Sequence, residues 1–245
     1  MANAAKSPSG EGGRLKGRIA FVTGASRGIG RAVARRFAAE GAHVVLLART
    51  QGALEELDGE IRETGGQATL VPLDLTDFDH IDRAGAALFE RFKRLDVLVG
   101  NAGVLGTMGP VAHMNPAVWE QVMAVNVTAN WRLIRSFAPL LRASDAGRAI
   151  FVTSGAARGP RAYWGAYAVS KAALEMLVGT YAAEVTKTNV RVNLVDPGAT
   201  RTAMRAEAYP GEDPLSLKEP DSLTDVFVAL AESACDRHGE LVAAP

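Results

Sequence analysis

The sequence predicts a single α/β domain, in which seven parallel strands form a doubly wound sheet with helices on both faces. Three observations lead to this fold class. Short apolar runs alternate with amphipathic stretches along the chain, which is the pattern of βαβ units. A glycine-rich turn stands between the first apolar run and the first helical stretch. The 245 residues suit one large α/β domain, and no internal repeat or linker divides them.

The apolar runs predict strands, in chain order, at residues 18–23, 43–48, 68–73, 95–99, 149–153, 190–195 and 240–243. The amphipathic stretches predict helices at about 28–40, 51–64, 78–93, 116–142, 165–186 and 221–235. The first residues are small and polar, so we expect a flexible tail at 1–13 and one folded domain at 14–245. Residues 199–221 are rich in proline and lack a clear period, which indicates a long loop. Such loops often bind substrate or act as lids; a surface loop without a role is the alternative.

The composition excludes several classes of function. The chain has 27 basic and 27 acidic side chains, so no positive excess favours a nucleic-acid or membrane surface. Cys235 is the single cysteine and the four histidines lack ligand spacing, which argues against a disulfide framework and against a metal site. No apolar run reaches the roughly 18 residues of a membrane span, and the N-terminus lacks the apolar core of a signal peptide. We therefore expect a cytoplasmic protein.

The first strand runs into the turn Thr23-Gly24-Ala25-Ser26-Arg27-Gly28-Ile29-Gly30, and a helical stretch follows. Glycines at a strand-to-helix turn let the backbone approach a pyrophosphate closely. The helix N-terminus then offers free N–H groups and the positive end of its dipole. The turn, with its flanking strand and helix, predicts a dinucleotide site of the Rossmann type.

The end of the second strand indicates which dinucleotide is bound. An acidic residue there would accept a hydrogen bond from the ribose 2′-hydroxyl of NAD. This chain has Ala48-Arg49-Thr50 instead, and both Arg49 and Arg27 would suit a 2′-phosphate. The sequence therefore predicts NADP(H) in preference to NAD(H); a solvated surface role for Arg49 is the alternative.

The fifth strand is followed by Ser154, and the next helix carries Tyr167 and Lys171, four residues apart. On a helix these two side chains lie on one face, one turn apart. A phenol has a pKa of about 10, and a fixed cation nearby is expected to lower it toward the working range. Ser154 would hold a carbonyl oxygen beside the phenol. The three residues predict proton transfer to or from an oxygen.

With these motifs, the chain resembles the short-chain dehydrogenase/reductase family from Arg14 to its C-terminus. The landmarks occur in the expected order, which makes the resemblance specific: residues 23–30, Leu73-Asp74-Leu75-Thr76, Asn101-Ala102-Gly103, Asn126, Ser154, Tyr167 with Lys171, and Pro197-Gly198 with Thr202. It is particularly similar to a branch of uncharacterised bacterial oxidoreductases, whose late loop carries the pattern seen here as Ala203-Met204-Arg205 and Glu212-Asp213-Pro214. The landmarks follow the carboxyl ends of predicted strands, where open α/β sheets bind ligands.

The resemblance implies roles for these residues. The expected catalytic residues are Asn126, Ser154, Tyr167 and Lys171, with Asn126 holding a water that links the lysine to solvent. The expected cofactor contacts are Gly24, Ser26, Arg27, Gly28, Ile29, Gly30, Arg49, Asp74, Leu75, Asn101, Ala102, Gly103, Tyr167, Lys171, Pro197, Gly198, Thr200 and Thr202. Asp74 would accept a hydrogen bond from the adenine amino group, although it could instead cap the following helix.

The substrate pocket is expected to involve Ser154, Trp164, Tyr167 and Met204, with Met108, Arg158, Arg161 and Tyr209 as further candidates. The implied activity is NADP(H)-dependent interconversion of a carbonyl and an alcohol by hydride transfer, with a small-molecule substrate and a homodimeric or homotetrameric assembly. A non-catalytic NADP(H)-binding sensor on the same scaffold is the alternative. A sugar-nucleotide epimerase of the extended type would need a larger C-terminal domain than this chain can hold.

Overall fold

The structure, a computed structural model, describes residues 13–245 and contains one seven-stranded sheet. The strands are Ile19–Thr23 (β1), His43–Ala48 (β2), Gln67–Pro72 (β3), Val97–Gly100 (β4), Arg148–Val152 (β5), Arg191–Asp196 (β6) and Leu241–Ala243 (β7). Their order in the sheet is β3-β2-β1-β4-β5-β6-β7, and every pair of neighbours is parallel. The predicted α/β fold is thus confirmed, and each strand lies within two residues of its predicted position. The order reverses between β1 and β4, which opens a crevice at the carboxyl edge.

The helices are Gly28–Ala39 (α1), Gln51–Glu63 (α2), Phe78–Phe92 (α3), Pro116–Met123 (α4), Ala129–Ala143 (α5), Gly165–Val185 (α6), Ala203–Ala208 (α7) and Thr224–Ala231 (α8). Two separate hydrophobic cores show that the sheet is covered on both faces. Alternate residues of β1 enter different cores: Val22 packs with α1, α2 and α8, while Phe21 packs with α3, α5 and α6. This period of two is what a sheet buried on both sides requires.

The helix predicted at 116–142 is instead two helices joined by a π-helical turn, Ala124–Thr128. The reason is a contact that spacing does not show. Within this turn the buried Asn126 side chain accepts a hydrogen bond from the Val104 amide at 2.8 Å and donates one to the Val104 carbonyl at 2.9 Å. A π turn places one extra residue in the helix, and such turns often mark functional sites.

Two other boundaries differ from the prediction. The helix predicted to reach residue 235 ends at Ala231, because the Arg148 guanidinium binds the Glu232 carbonyl at 3.1 Å and the Ser233 carbonyl at 2.6 Å. The predicted loop at 199–221 contains the short helix α7, whose first turn is capped by the Thr202 hydroxyl. Six residues are too few to show a helical period. The tail predicted at 1–13 lies, apart from Gly13, outside the described residues. None of the helices within residues 13–245 is long and apolar enough to cross a membrane.

Candidate active site

A cleft of about 620 Å³ runs along the carboxyl edge of the sheet. It receives residues that follow β1 through β6, as the rule for open α/β sheets predicts. Nearly all residues expected from the sequence line it: Gly24, Ser26, Arg27, Gly28, Ile29, Arg49, Asp74, Leu75, Asn101, Ala102, Gly103, Ser154, Trp164, Tyr167, Lys171, Pro197, Gly198, Thr200, Thr202 and Met204. Gly30 and Asn126 do not line it, and neither do the four further candidates for the substrate pocket: Met108, Arg158, Arg161 and Tyr209.

The turn after β1 leaves room for a ligand because its glycines have no side chains. Gly24 and Gly28 adopt φ angles of 67° and 58°, in the left-handed region that favours glycine. A Cβ at Gly30 would lie 2.3 Å from the Gly24 carbonyl oxygen, so the turn can close against α1 only with glycine there. Within the described residues, no side chain caps α1 at Arg27. The free N–H groups of its first turn fit a dinucleotide pyrophosphate.

At the end of β2, Arg49 is mostly exposed and its Nη1 atom lies 3.9 Å from Asp74 Oδ2. Asp74 does not cap α3; that role belongs to Asp77, which accepts a hydrogen bond from the His80 amide. Asp74 instead accepts hydrogen bonds at 2.9 Å from the Thr76 amide and hydroxyl. Its second carboxylate oxygen thus remains oriented toward the cleft side on which Arg49 stands.

Tyr167 and Lys171 are both buried on α6, with 8% and 4% of their surfaces exposed. The Lys171 ammonium donates a hydrogen bond to the Val152 carbonyl at 2.9 Å and lies 5.8 Å from the centre of the Tyr167 ring. Gly103 lies beside both Lys171 and Asn126: a Cβ at Gly103 would lie 3.5 Å from Lys171 Nζ and 3.3 Å from Asn126 Oδ1. The fold therefore brings the predicted lysine, tyrosine and asparagine into one site.

The electrostatics of the pair differ from the sequence-based prediction. Burial raises the pKa of Tyr167, the Ser154 hydroxyl lowers it through a hydrogen bond, and Asp196 raises it further. Burial also lowers the pKa of Lys171 from 10.5 to about 8, against the field of Glu175. The expected lowering of the tyrosine pKa by the lysine is thus wrong for the chain alone. Desolvation disfavours phenolate and ammonium alike.

Asn126 is fully buried and is connected to the catalytic helix through a serine. Its Nδ2 atom donates to Ser170 Oγ at 2.9 Å, and that hydroxyl donates to the Tyr167 carbonyl at 2.8 Å. The Asn126 carbonyl accepts a hydrogen bond from Asn130 at 2.9 Å. Asn126 therefore fixes the π turn, the loop after β4 and α6 relative to one another.

An ion-pair network beside the site was not predicted. Arg158 does not line the cleft as expected: it pairs with Glu175 at 3.1 Å and with Asp196. Glu175 also accepts a hydrogen bond at 2.7 Å from Thr153, the residue before Ser154. Glu175 stands four residues after Lys171 on α6, which is the signal that could have indicated it.

The side of the cleft opposite the glycine turn is apolar. Tyr167 packs there in an apolar cluster whose other members lining the cleft are Leu105, Trp164, Met204 and Ala208. Met108, Ala156 and Ala168 belong to the cluster but do not line the cleft. Trp164 touches Tyr167 edge-on, with ring centres 5.9 Å apart, and its ring centre lies 5.7 Å from that of Tyr209. Leu105, in the loop after β4, and Ala208, at the end of the six-residue helix α7, were missed from the sequence because single aliphatic residues in such short segments carry no pattern. Within residues 13–245, no group of histidine, cysteine, aspartate or glutamate side chains could hold a metal ion.

The sequence model of the short chain dehydrogenases matches residues 18–213. The chain belongs to the short-chain dehydrogenase/reductase family. Among curated family members it is 42% identical to the uncharacterised oxidoreductase YciK of Escherichia coli, over 88% of this chain and 86% of that one. It is 36% identical to an uncharacterised NAD-dependent oxidoreductase of Mycobacterium tuberculosis, over 91% and 92% of the two chains. A short chain dehydrogenase from Shigella flexneri, solved in complex with NADP, superposes with a TM-score of 0.90 at 40% identity and covers 94% of this chain and 97% of its own.

Proposed function

We propose that this oxidoreductase uses NADP(H) to interconvert a carbonyl and an alcohol, with Tyr167 as the general acid and base. The observation that carries the proposal is the meeting of Ser154, Tyr167 and Lys171 at the base of one cleft whose other half is the glycine turn. A phenol, a hydroxyl and a buried ammonium beside a dinucleotide site suit reduction of a carbonyl group.

The cofactor supplies a hydride when it is bound, and the remaining steps belong to the chain. Ser154 orients the carbonyl oxygen and stabilises the negative charge that develops on it. Tyr167 is protonated at neutral pH, since a phenol has an ordinary pKa of about 10 and burial raises the pKa of this one further, so it can donate a proton to that oxygen. Lys171, with a pKa of about 8, is largely charged at neutral pH and stabilises the phenolate once the proton has left. We assign the return of the proton to a water held near Asn126.

NADP(H) preference is assigned to Arg49 and Arg27. Arg49 is free to swing onto a 2′-phosphate, since its nearest carboxylate lies at 3.9 Å and both side chains are exposed. The NADP complex of the Shigella relative supports this assignment, and the mycobacterial relative shows that the family also includes NAD-dependent members. A charged hydrogen bond is worth about 1.5–3 kcal/mol.

We expect Arg49→Gln to raise the Kd of NADPH by about 10- to 150-fold and to leave the Kd of NADH unchanged. Isothermal titration of both cofactors measures this, with Arg62→Gln, an exposed arginine on α2, as the matched control. Equal weakening of both cofactors, or wild-type protein that binds NADH as tightly as NADPH, would refute the preference.

Turnover separates an enzyme from an NADP(H)-binding sensor. A panel of ketones and aldehydes is incubated with NADPH, and the fall in NADPH absorbance is followed with the wild-type protein. Reduction of any member supports the proposal. Tight NADPH binding without turnover of any carbonyl or alcohol would favour the sensor.

We also propose a homodimer or homotetramer, formed through α5 and α6. Both helices carry large apolar side chains on the surface of the chain: Trp131 is 43% exposed and Met176 is 73% exposed. Sedimentation velocity of the wild-type protein and of Met176→Glu measures the assembly. A wild-type monomer at micromolar concentration would contradict this.

A further inference from the structure

The substrate half of the cleft is built from apolar side chains. Leu105, Trp164 and Met204 line it, and Ala156 and Met108 belong to the same apolar cluster without lining the cleft. Short helix α7 contributes Met204 from the loop that follows β6, so this wall comes from three separate segments. Thioethers adapt to ligands of different shape, and an indole offers a flat apolar face.

The arginines near this wall are already neutralised by carboxylates. Arg205 forms a two-pronged ion pair with Glu212, at 2.6 Å from both nitrogen atoms, and its guanidinium stacks on the Tyr209 ring at 3.8 Å. Arg158 is held between Glu175 and Asp196. A substrate anion would therefore have to displace a carboxylate that the protein supplies.

Two further arginines, Arg201 and Arg161, lie near the apolar wall. Arg201, which also lines the cleft, pairs with Glu219. Arg161 lies 5.9 Å from the Trp164 ring centre and is exposed, and it is not among the residues that line the cleft. Lys171, which lines the same cleft, is buried and donates its hydrogen bond to the Val152 carbonyl. The polar side chains that we assign to the reacting carbonyl are therefore Ser154 and Tyr167. An anion placed against this wall would lose its hydration without gaining a partner.

We infer that the substrate is an uncharged, apolar carbonyl compound, with a ring or a short hydrocarbon group beside its carbonyl, and that carboxylated or phosphorylated carbonyls are excluded. The inference rests on the proposed function, because it assigns Ser154 and Tyr167 to the carbonyl oxygen. Apolar contacts then fix the remainder of the molecule against Trp164 and Met204.

A matched pair of probes tests the inference: ethyl benzoylformate and benzoylformate share a ring and a ketone, and only the second carries a charge. With NADPH, we expect kcat/KM for the ester to exceed that for the acid by at least about 100-fold, the scale of an uncompensated charge in an apolar site. Equal or better reduction of the acid would overturn the inference.

Two variants locate the cause of the preference. Met204→Lys places a cation in the wall, so its ester-to-acid ratio should fall at least about tenfold relative to Met204→Gln, a polar control of similar length. Arg161→Gln should leave the ratio unchanged. Selective loss of acid reduction in Arg161→Gln would show an anion site at Arg161 and would contradict the inference.

Binding distinguishes failure of the inference from failure of the proposed function. In Tyr167→Phe with NADPH bound, quenching of cofactor fluorescence measures the Kd of each probe without turnover. Preferential binding of the ester supports the substrate class, even if the wild-type protein reduces no carbonyl of the panel, in which case only the reductase function is refuted. Binding of the acid alone, or of neither probe, overturns the substrate class. If other carbonyls of the panel are still reduced, the proposed reductase function stands.

Discussion

The buried ammonium of Lys171 should make the stability of the free protein depend on pH in a direction opposite to that of an ion-paired lysine. Its pKa is about 8 in the folded chain, against an ordinary value of 10.5. Between these values the unfolded chain binds one more proton than the folded chain, so the free energy of unfolding rises with pH. At 1.36 kcal/mol per pKa unit, this gain amounts to about 2.5 kcal/mol between pH 7 and pH 10.

Lys171→Met removes the titrating group and nearly preserves the side-chain volume. The variant also leaves the Val152 carbonyl without its 2.9 Å donor, a loss of about 1–3 kcal/mol that does not depend on pH. The free energy of unfolding of wild type minus that of Lys171→Met should therefore increase by about 2.5 kcal/mol from pH 7 to pH 10. The test is the change of this free-energy difference with pH, rather than its absolute value at one pH.

Urea denaturation of the cofactor-free proteins at several pH values measures this slope. Lys187→Met, at an exposed lysine beyond α6, controls for the loss of one positive charge. A flat difference between pH 7 and pH 10 would show that the ammonium is not desolvated. A difference that falls with rising pH would show that an acidic partner dominates, and either result refutes the electrostatic reasoning.

Two further predictions concern the cofactor turn and the ion-pair network. Gly30→Ala should abolish NADPH binding or lower the free energy of unfolding measured in urea by about 1–3 kcal/mol, because its Cβ would lie 2.3 Å from the Gly24 carbonyl oxygen. Gly59→Ala on α2, where a Cβ meets no other atom, is the control. Equal NADPH binding and equal stability of the two variants would contradict the close packing at Gly30. Arg158→Met should raise the pKa of Lys171, because Glu175 loses its guanidinium partner and then favours the ammonium more strongly. The rise in the free energy of unfolding with pH should then begin at a higher pH than in wild type. The same pH dependence in both proteins would show that Arg158 does not act on Lys171 through Glu175.

Much of the fold and of the site follows from local sequence patterns. The glycine turn and the pair Tyr167 and Lys171 could be predicted because each depends on the spacing within one strand, turn or helix. The carboxyl-end rule then placed segments that are far apart in sequence at one cleft. The cluster of predicted residues along that cleft depends on the sheet order, which the alternation of strands and helices indicates.

The features that the sequence did not predict depend on contacts between distant residues. Arg158 meets Asp196 across 38 residues, and no spacing relates them. The π turn depends on the contact between Asn126 and Val104, 22 residues apart. The direction of the Tyr167 pKa was predicted wrongly because spacing shows the neighbouring cation but not the burial, which outweighs it here.

The most direct test of the proposed chemistry is single-turnover reduction of ethyl benzoylformate by NADPH, compared between wild type and Tyr167→Phe. Loss of a positioned general acid should slow turnover by about 100- to 10,000-fold, while the Kd of NADPH changes by less than about twofold, since the phenol donates a proton and does not hold the pyrophosphate. Turnover in Tyr167→Phe at a rate close to that of wild type would contradict the assignment of Tyr167 as the proton donor.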